Sequence, residues 1–485
     1  MKVKRQPFNK RWFHIPQAPL LRVPSLLSLS TSSASPIPYT SQYSLPFSPT
    51  MSSDKERLEE FLQTNKSIKY IRLQWIDYSG VLRARFVPIA RCLRIASGSE
   101  TACLAQNSMI IPISTAPRIF SLSDHHETWF LRPDWSSLRR CGFKAGHAAA
   151  MSFVDQKDAE TRFDKCPRML LVQALERLER EWGAKVLIGF EIEFVLLDGS
   201  DNVIKPMDRL NGYSRTAGLR AETLDLVEEI VDALEQSSIN IHHYHAELRD
   251  QLEIALAPEP ALEAVDSLVL AQEAIRAICI RRNLKATMAP KPILAGLSSG
   301  LHLHLSLDKL ERASAENFLA GVLDHMGSLC AFGMANYDGY VRSVSDATGA
   351  WIGFGTDNRD LPVRKIGGLH WEFRMMDSTA NPYLFTAAVV LAALDGLGKK
   401  TELVWKDCKF FPDLMDERKR AEYGIDKSMP VTFEEALDCL KRDAAVKTWI
   451  AEDLLKWYIS VKNKEVEEFR KMTDAQRRSR FLEYF

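Results

Sequence analysis

Four stretches of this chain place carboxylates and imidazoles at every second position, the spacing that puts side chains on one face of a β-strand. Leu187 to Leu197 carries Glu191 and Glu193 on one face and Phe190, Ile192 and Phe194 on the other. Two carboxylates about 7 Å apart repel, so a cation or arginines must offset them. His243 to Leu256, read as one strand, sets His243, His245, Glu247, Gln251 and Glu253 on one parity. Gly300 to Leu307 alternates strictly, with His302, His304 and Ser306 against Leu301, Leu303, Leu305 and Leu307, and His370-Trp-Glu-Phe-Arg374 sets Glu372 beside Arg374. Joined in one sheet, these strands line a polar cavity. Carboxylate oxygens with a single imidazole suit Mg²⁺ or Mn²⁺, and the absence of cysteine ligands disfavours zinc. Arg342, Arg359, Arg364 and Arg374 crowd the same stretch of sequence. Each alone reads as a surface residue, but guanidinium forks suit phosphate and carboxylate. Metal, phosphate and carboxylate together point to phosphoryl transfer.

The elements that must position these groups follow from pattern. Ser67 onward alternates, Asp77-Tyr-Ser-Gly80 turns the chain, and Val81 to Val87 returns it, a β start to a small N-terminal domain over 54–160. A polar stretch from Asp155 to Pro167 precedes a helical pattern from Arg168 to Trp182, and a larger α+β unit occupies 161–485. Ala261 to Arg282 reads as a core helix, and Lys462 to Arg480 as a charged helix with a solvated face or a subunit contact. Trp351 and Tyr383 could pack near a substrate, although core aromatics are commoner, while His242 and His243 read as strand-edge residues. Asp124-His125-His126-Glu127 reads as a polar loop.

The 485 residues hold 63 basic and 63 acidic side chains, so no global field selects a nucleic acid or a membrane surface. With 46% apolar residues and a mean hydropathy of −0.18, the composition is that of a soluble globular chain. Eight scattered cysteines without a C-x-x-C pair read as buried free thiols in a reducing compartment. Residues 1–53 carry six basic residues, eight prolines and no acidic residue, which reads as a disordered extension or a transit peptide. The expected location is the cytoplasm, or the mitochondrion if that tail is a transit peptide. Neither a P-loop nor a G-x-G-x-x-G motif is present, so a nucleotide must be held through metals and arginines.

Gly189-Phe-Glu191-Ile-Glu193-Phe194, Pro290-Lys291-Pro292, Ser298-Ser-Gly300-Leu-His302-Leu-His304-Leu-Ser306, Asn358-Arg359, Glu372-Phe-Arg374 and Asn381-Pro382-Tyr383 occur in an order that resembles the glutamine synthetase family. The likeness is to its type I branch, including fungal glutamine synthetase-like and γ-glutamyl amine ligase members, over roughly residues 66 to 485. The resemblance implies a β-grasp-like N-terminal domain, a catalytic α+β domain whose antiparallel sheet lines the active site, and a ring-shaped homo-oligomer with sites at subunit joints. It implies that Glu193, Glu247 and Glu253 hold one Mg²⁺ or Mn²⁺ and that Glu191, His302 and Glu372 hold a second. It places His304 and Ser306 against ATP, Arg364 and Arg374 on the phosphates, and Arg342 and Arg359 at the glutamate carboxylate and the transferred phosphate. The implied reaction phosphorylates the γ-carboxylate of glutamate or a related acid, and ammonia or an amine then displaces phosphate.

The chain departs from the family pattern in three places. Leu248-Arg249-Asp250-Gln251 is a shorter connection without glycine, Leu297-Ser298 replaces Asn-Gly, and neither Cys103 to Asn107 nor Ser343 to Trp351 supplies the expected ammonium-binding acid. Carboxylates there would bind and deprotonate ammonium, so their loss favours a larger amine. The alternative is a catalytically weakened scaffold or regulatory protein on the same fold.

Overall fold

The computed structural model describes residues 53–104, 111, 115, 128–156, 163–204, 212–248, 250–296, 298–344 and 347–485. The expectations for residues 1–52, Asn107, Asp124 to Glu127, Arg249, Leu297 and Asp346 lie outside the described residues.

The first sheet contains β1 (Tyr70–Ile76), β2 (Leu82–Pro88), β3 (Ala102–Leu104), β4 (Trp129–Pro133), β5 (Arg139–Arg140) and β6 (His147–Gln156). Its order is β2-β1-β6-β4-β3, with β5 on β6, and β1 runs parallel to β6. The turn between β1 and β2 forms where the sequence expects it: Asp77 Oδ1 accepts from the Ser79 and Val81 amides at 2.9 and 3.0 Å, and Gly80 takes φ +80°. A Cβ at Gly80 would lie 2.6 Å from the Thr379 carbonyl, so only glycine fits the approach. Asn381 Nδ2 donates to the Asp77 carbonyl at 2.9 Å, and the same side chain caps the helix Pro382–Lys399. The first sheet is thereby tied to the central helix of the larger one.

The second sheet contains β7 (Val186–Leu197), β8 (Ile241–Ala246), β9 (Gln251–Leu256), β10 (Glu259–Pro260), β11 (Lys285–Thr287), β12 (Leu301–Leu307), β13 (Phe354–Thr356), β14 (Val363–Gly367) and β15 (His370–Phe373). Its order is β13-β14-β15-β12-β7-β9-β8, with β10 and β11 on β7. All its pairs are antiparallel except β13 with β14 at one edge, so the strands from β14 to β8 form the antiparallel sheet expected. The expected single strand from His243 to Leu256 is instead the hairpin β8–β9, because the connection after Ala246 turns and the Glu247 amide donates to the Gln251 carbonyl at 2.9 Å. A two-residue period reads the same through a short turn as along a strand.

Phe190, Ile192, Phe194, Leu301, Leu303, Leu305 and Leu307 are all buried beneath the sheet. The helix Ala261–Arg281 packs on β7, as expected of a core helix. Pro382–Lys399 packs against Pro167–Trp182 and Arg312–Asp324. Gly321 and Gly396 meet there: a Cβ on Gly321 would lie 2.8 Å from the Gly396 Cα. Pro382–Lys399 is long and apolar enough to cross a membrane by length and composition, yet 83% of its apolar window is buried within the fold.

One expectation is modified in the helical part. Lys462 to Arg480 is split between the helices Glu452–Phe469 and Asp474–Tyr484, and its charge is not all solvated. Lys462 and Glu465 are fully buried as a 2.9 Å ion pair, with Glu465 also accepting from Ser79 and Thr115. A charge count cannot distinguish an exposed face from an internal, fully bonded pair. Tyr383 is buried with its hydroxyl donating to Asp266 at 2.6 Å, which is the commoner, core reading of that aromatic.

Candidate active site

Residues paired across neighbouring strands stand on the same face of a sheet. In β7 and β12 Glu191 faces His302, in β7 and β9 Glu193 faces Glu253, and in β12 and β15 His304 faces Glu372. Arg364 on β14 faces Glu372, and His245 on β8 faces Glu253. One polar row therefore crosses the second sheet from β14 to β8, opposite the leucine and phenylalanine face.

At one end of the row the charges are internally matched. Glu191 bonds His302 Nδ1 and His304 Nε2, each at 3.0 Å. Burial opposes its ionisation, but the two imidazoles outweigh it and hold the carboxyl far below its usual range. Glu372 is fully buried, lies 3.2 Å from His302 Nδ1, and is gripped by Arg364 and by Arg374, the latter at 2.5 Å. Burial again opposes ionisation, and the two guanidiniums with His302 again prevail, holding this carboxyl well below its usual range. His370, missed by the sequence reading, lies 3.2 Å from His304. Burial, His304 and Arg364 push it down to about 4, so it is neutral at physiological pH.

At the other end carboxylates outnumber their partners. Glu193 and Glu253 are buried, and Glu247 stands on the hairpin turn beside them. Burial and the neighbouring Glu253 and Glu193 push Glu247 up to about 7, and burial raises Glu253 as well despite His245. His245 Nε2 lies 3.1 Å from Glu253 Oε1, and that bond lifts the imidazole to about 9. Glu193 is served by the Gly300 amide at 2.8 Å and Gln251 Nε2 at 3.3 Å. Gly300 also leaves space: a Cβ there would lie 2.6 Å from Arg342 Nη2 and 2.7 Å from His302 Nε2.

The arginines separate into two groups. Arg342 is buried, with Nη1 on the Met376 carbonyl at 2.5 Å and Nη2 at 3.2 Å from the Arg374 carbonyl and 3.4 Å from His302. Arg364 and Arg374 hold Glu372, while Arg359 is exposed on the connection between β13 and β14 and makes no ion pair among the described residues. Ser306 is half-buried two residues beyond His304, opposite Leu187 and His370. The structure thus brings Glu191, Glu193, Glu247, Glu253, His302, His304, Glu372, Arg342, Arg364 and Arg374 into one site and leaves Arg359 and Ser306 at its margin. Gln251 and Gly300 gain their roles from the fold, although both lay inside motifs the sequence already displayed.

The carboxylate-rich end fits a hard divalent cation by the chemistry of its donors. Glu193, Glu247 and Glu253 all offer oxygen donors, and burial together with uncompensated neighbouring carboxylates raises Glu247 to about 7. Glu191, His304 and Glu372 bring one donor atom each within 4.8 Å of the others, a second, mixed set in which His304 stands where the resemblance placed His302.

The sequence pattern of the glutamine synthetase catalytic domain matches residues 164–481. The chain is 30% identical to Protein fluG of Emericella nidulans over 89% of its own length and 50% of that protein's, so it spans about half of that relative. It is 29% identical to a glutamine synthetase of Pyrococcus horikoshii, over 85% of this chain and 92% of the relative. Among solved structures, the ADP complex of GmaS superposes with a TM-score of 0.74 at 23% identity, covering 87% of this chain and 98% of that one, a likeness of fold.

Proposed function

The chain belongs to the glutamine synthetase family and carries its catalytic domain, and from that premise we propose that it is an ATP-dependent ligase joining the γ-carboxylate of glutamate, or of a related acid, to ammonia or an amine. The observation that carries this reading is the unequal charge balance along one row of side chains: carboxylates in excess at one end, guanidiniums at the other. Glu193, Glu247 and Glu253 would hold one Mg²⁺ or Mn²⁺, and Glu191, His302 and Glu372 the second. Bound there, the ions would offset charge on phosphate oxygens.

Phosphoryl transfer asks the protein mainly for position and charge compensation. In this reading Arg364 and Arg374 fix Glu372 and present positive charge to the nucleotide phosphates, with His304 and Ser306 on the nucleotide side. The ADP complex of GmaS supports an adenine nucleotide on this fold. Arg342, held by two backbone carbonyls, points its charge at the acid substrate, and Arg359 meets the transferred phosphoryl group. The γ-phosphoryl of ATP passes to the carboxylate oxygen to give an acyl phosphate. The amine nitrogen then attacks the acyl carbon, phosphate leaves, and the surplus proton leaves the new amide. A ring of subunits completing each site is part of the same proposal.

The test is phosphate release by the full chain with ATP and Mg²⁺ or Mn²⁺, with glutamate paired in turn with ammonia, methylamine and larger amines. Turnover that requires both the acid and an amine supports the ligase. Metal-dependent ATP binding without turnover for any pair would move the weight to a scaffold role, for which the short turn between Glu247 and Gln251 is the favouring observation.

A further inference from the structure

β8 is the edge strand of the second sheet and reads Ile-His-His-Tyr-His-Ala. His243 and His245 stand two residues apart on one face, and their rings stack at 5.4 Å with planes within 7°. Across the ladder stands Glu253, directly opposite His245. Both Nε2 atoms approach the same oxygen: His245 Nε2 lies 3.1 Å from Glu253 Oε1 and His243 Nε2 lies 3.9 Å from it. One donor atom from each of the three residues falls within 4.8 Å of the others.

The outer nitrogens are already engaged. His245 Nδ1 donates to the Ala246 carbonyl at 3.0 Å, which leaves Nε2, the nitrogen turned to Glu253, to a ligand once it yields its proton. His243 Nδ1 meets His242 Nδ1 at 2.7 Å, and with His243 as donor its Nε2 is likewise free to coordinate. Such outer hydrogen bonds orient metal-ligating imidazoles. His243 remains 45% exposed, so an ion can arrive from solvent and keep water in its open positions.

We propose that His243, His245 and Glu253 form a site for a borderline divalent transition-metal ion of the zinc class, distinct in donor chemistry from the carboxylate set but sharing Glu253 with it. Two imidazoles and one carboxylate favour zinc, cobalt or nickel over magnesium, which prefers oxygen and a full octahedron. Because one carboxylate serves both sets, an ion held by the imidazoles withdraws Glu253 from the hard cation. Zinc-class metals therefore compete with Mg²⁺ without resembling it.

The experiment uses the metal-stripped full chain. Co²⁺ titrated into it is expected to give the intense visible absorption of low-coordinate, nitrogen-ligated cobalt, and Zn²⁺ is expected to displace it. His243→Asn should weaken Zn²⁺ and Co²⁺ binding on the order of 10-fold or more while leaving Mg²⁺ binding unchanged, with circular dichroism confirming the fold. A weak, octahedral cobalt spectrum in the unaltered chain overturns the proposal even if the variant does not fold. Equal Zn²⁺ affinity in the folded variant, or no Zn²⁺ binding to the unaltered chain, overturns it as well. None of these readouts depends on ligase activity.

Discussion

The two ends of the polar row use the same residue types and solve opposite electrostatic problems. Around Glu372, two guanidiniums and an imidazole leave the carboxylate fully ionised in a buried setting. Around Glu247, two further carboxylates and one imidazole leave the balance negative, and burial with repulsion raises its carboxyl to about 7. At the first end the guanidiniums already offset the Glu372 carboxylate. The second keeps an excess of carboxylates, so it is the charge balance rather than the residue types that separates the two ends.

The largest expected effect breaks the second end. Glu193→Ala removes the carboxylate between the two donor sets and should lower ATP-dependent phosphate release on the order of 10³-fold, as expected for losing several kcal/mol of phosphoryl-charge compensation. Retention of the far-UV spectrum checks that the fold survives, and near-normal turnover would sink the site assignment.

Glu372→Ala breaks the first end. It leaves the buried Arg374 and the half-buried Arg364 without their shared anion, so thermal unfolding should show a loss of about 3–5 kcal/mol. Gly300→Ala lies between the two ends. The added methyl must displace Arg342 or His302, both buried, at a cost of about 1–3 kcal/mol, and metal affinity should fall with it.

A matched charge outside the sheet sharpens the comparison. Burial disfavours a charged His325, but hydrogen bonds to Asp395 and Asp443 prevail and raise it to about 9. A raised histidine stabilises the fold fully below its unfolded value of about 6.5, and the contribution is lost as pH rises through about 9. Unfolding measured from pH 6 to 10 should therefore show a decline that His325→Asn flattens, with about 1.5 kcal/mol lost by the variant at neutral pH.

The smallest effect has the most telling sign. In metal-free protein Glu247→Gln removes a repelled carboxylate and should raise stability by about 1 kcal/mol, while weakening Mg²⁺ binding. A carboxylate removed at the first end destabilises, and one removed here stabilises. Equal signs at both ends, read from melting curves in a chelator, would dissolve the distinction between them.

Much of this was legible in the chain itself. The alternation in Leu187 to Leu197 and Gly300 to Leu307 placed Glu191, Glu193, His302 and His304 on polar faces, because the strand period leaves a side chain no other side to occupy. The turn at Asp77 to Gly80 and the helices at Pro167–Trp182 and Ala261–Arg281 were equally local matters of hydrogen bonding and periodicity. What the sequence could not contain was pairing between strands far apart in the chain. That Glu372 falls opposite both His304 and Arg364, that His245 falls opposite Glu253 through a hairpin rather than along one strand, and that Lys462 meets Glu465 away from water are consequences of register and burial. Residue type and spacing determined which groups could do chemistry. Only the tertiary structure decided which charges neighbour which, because Coulomb energy depends on distance and on exclusion of water, and neither is a property of a residue alone.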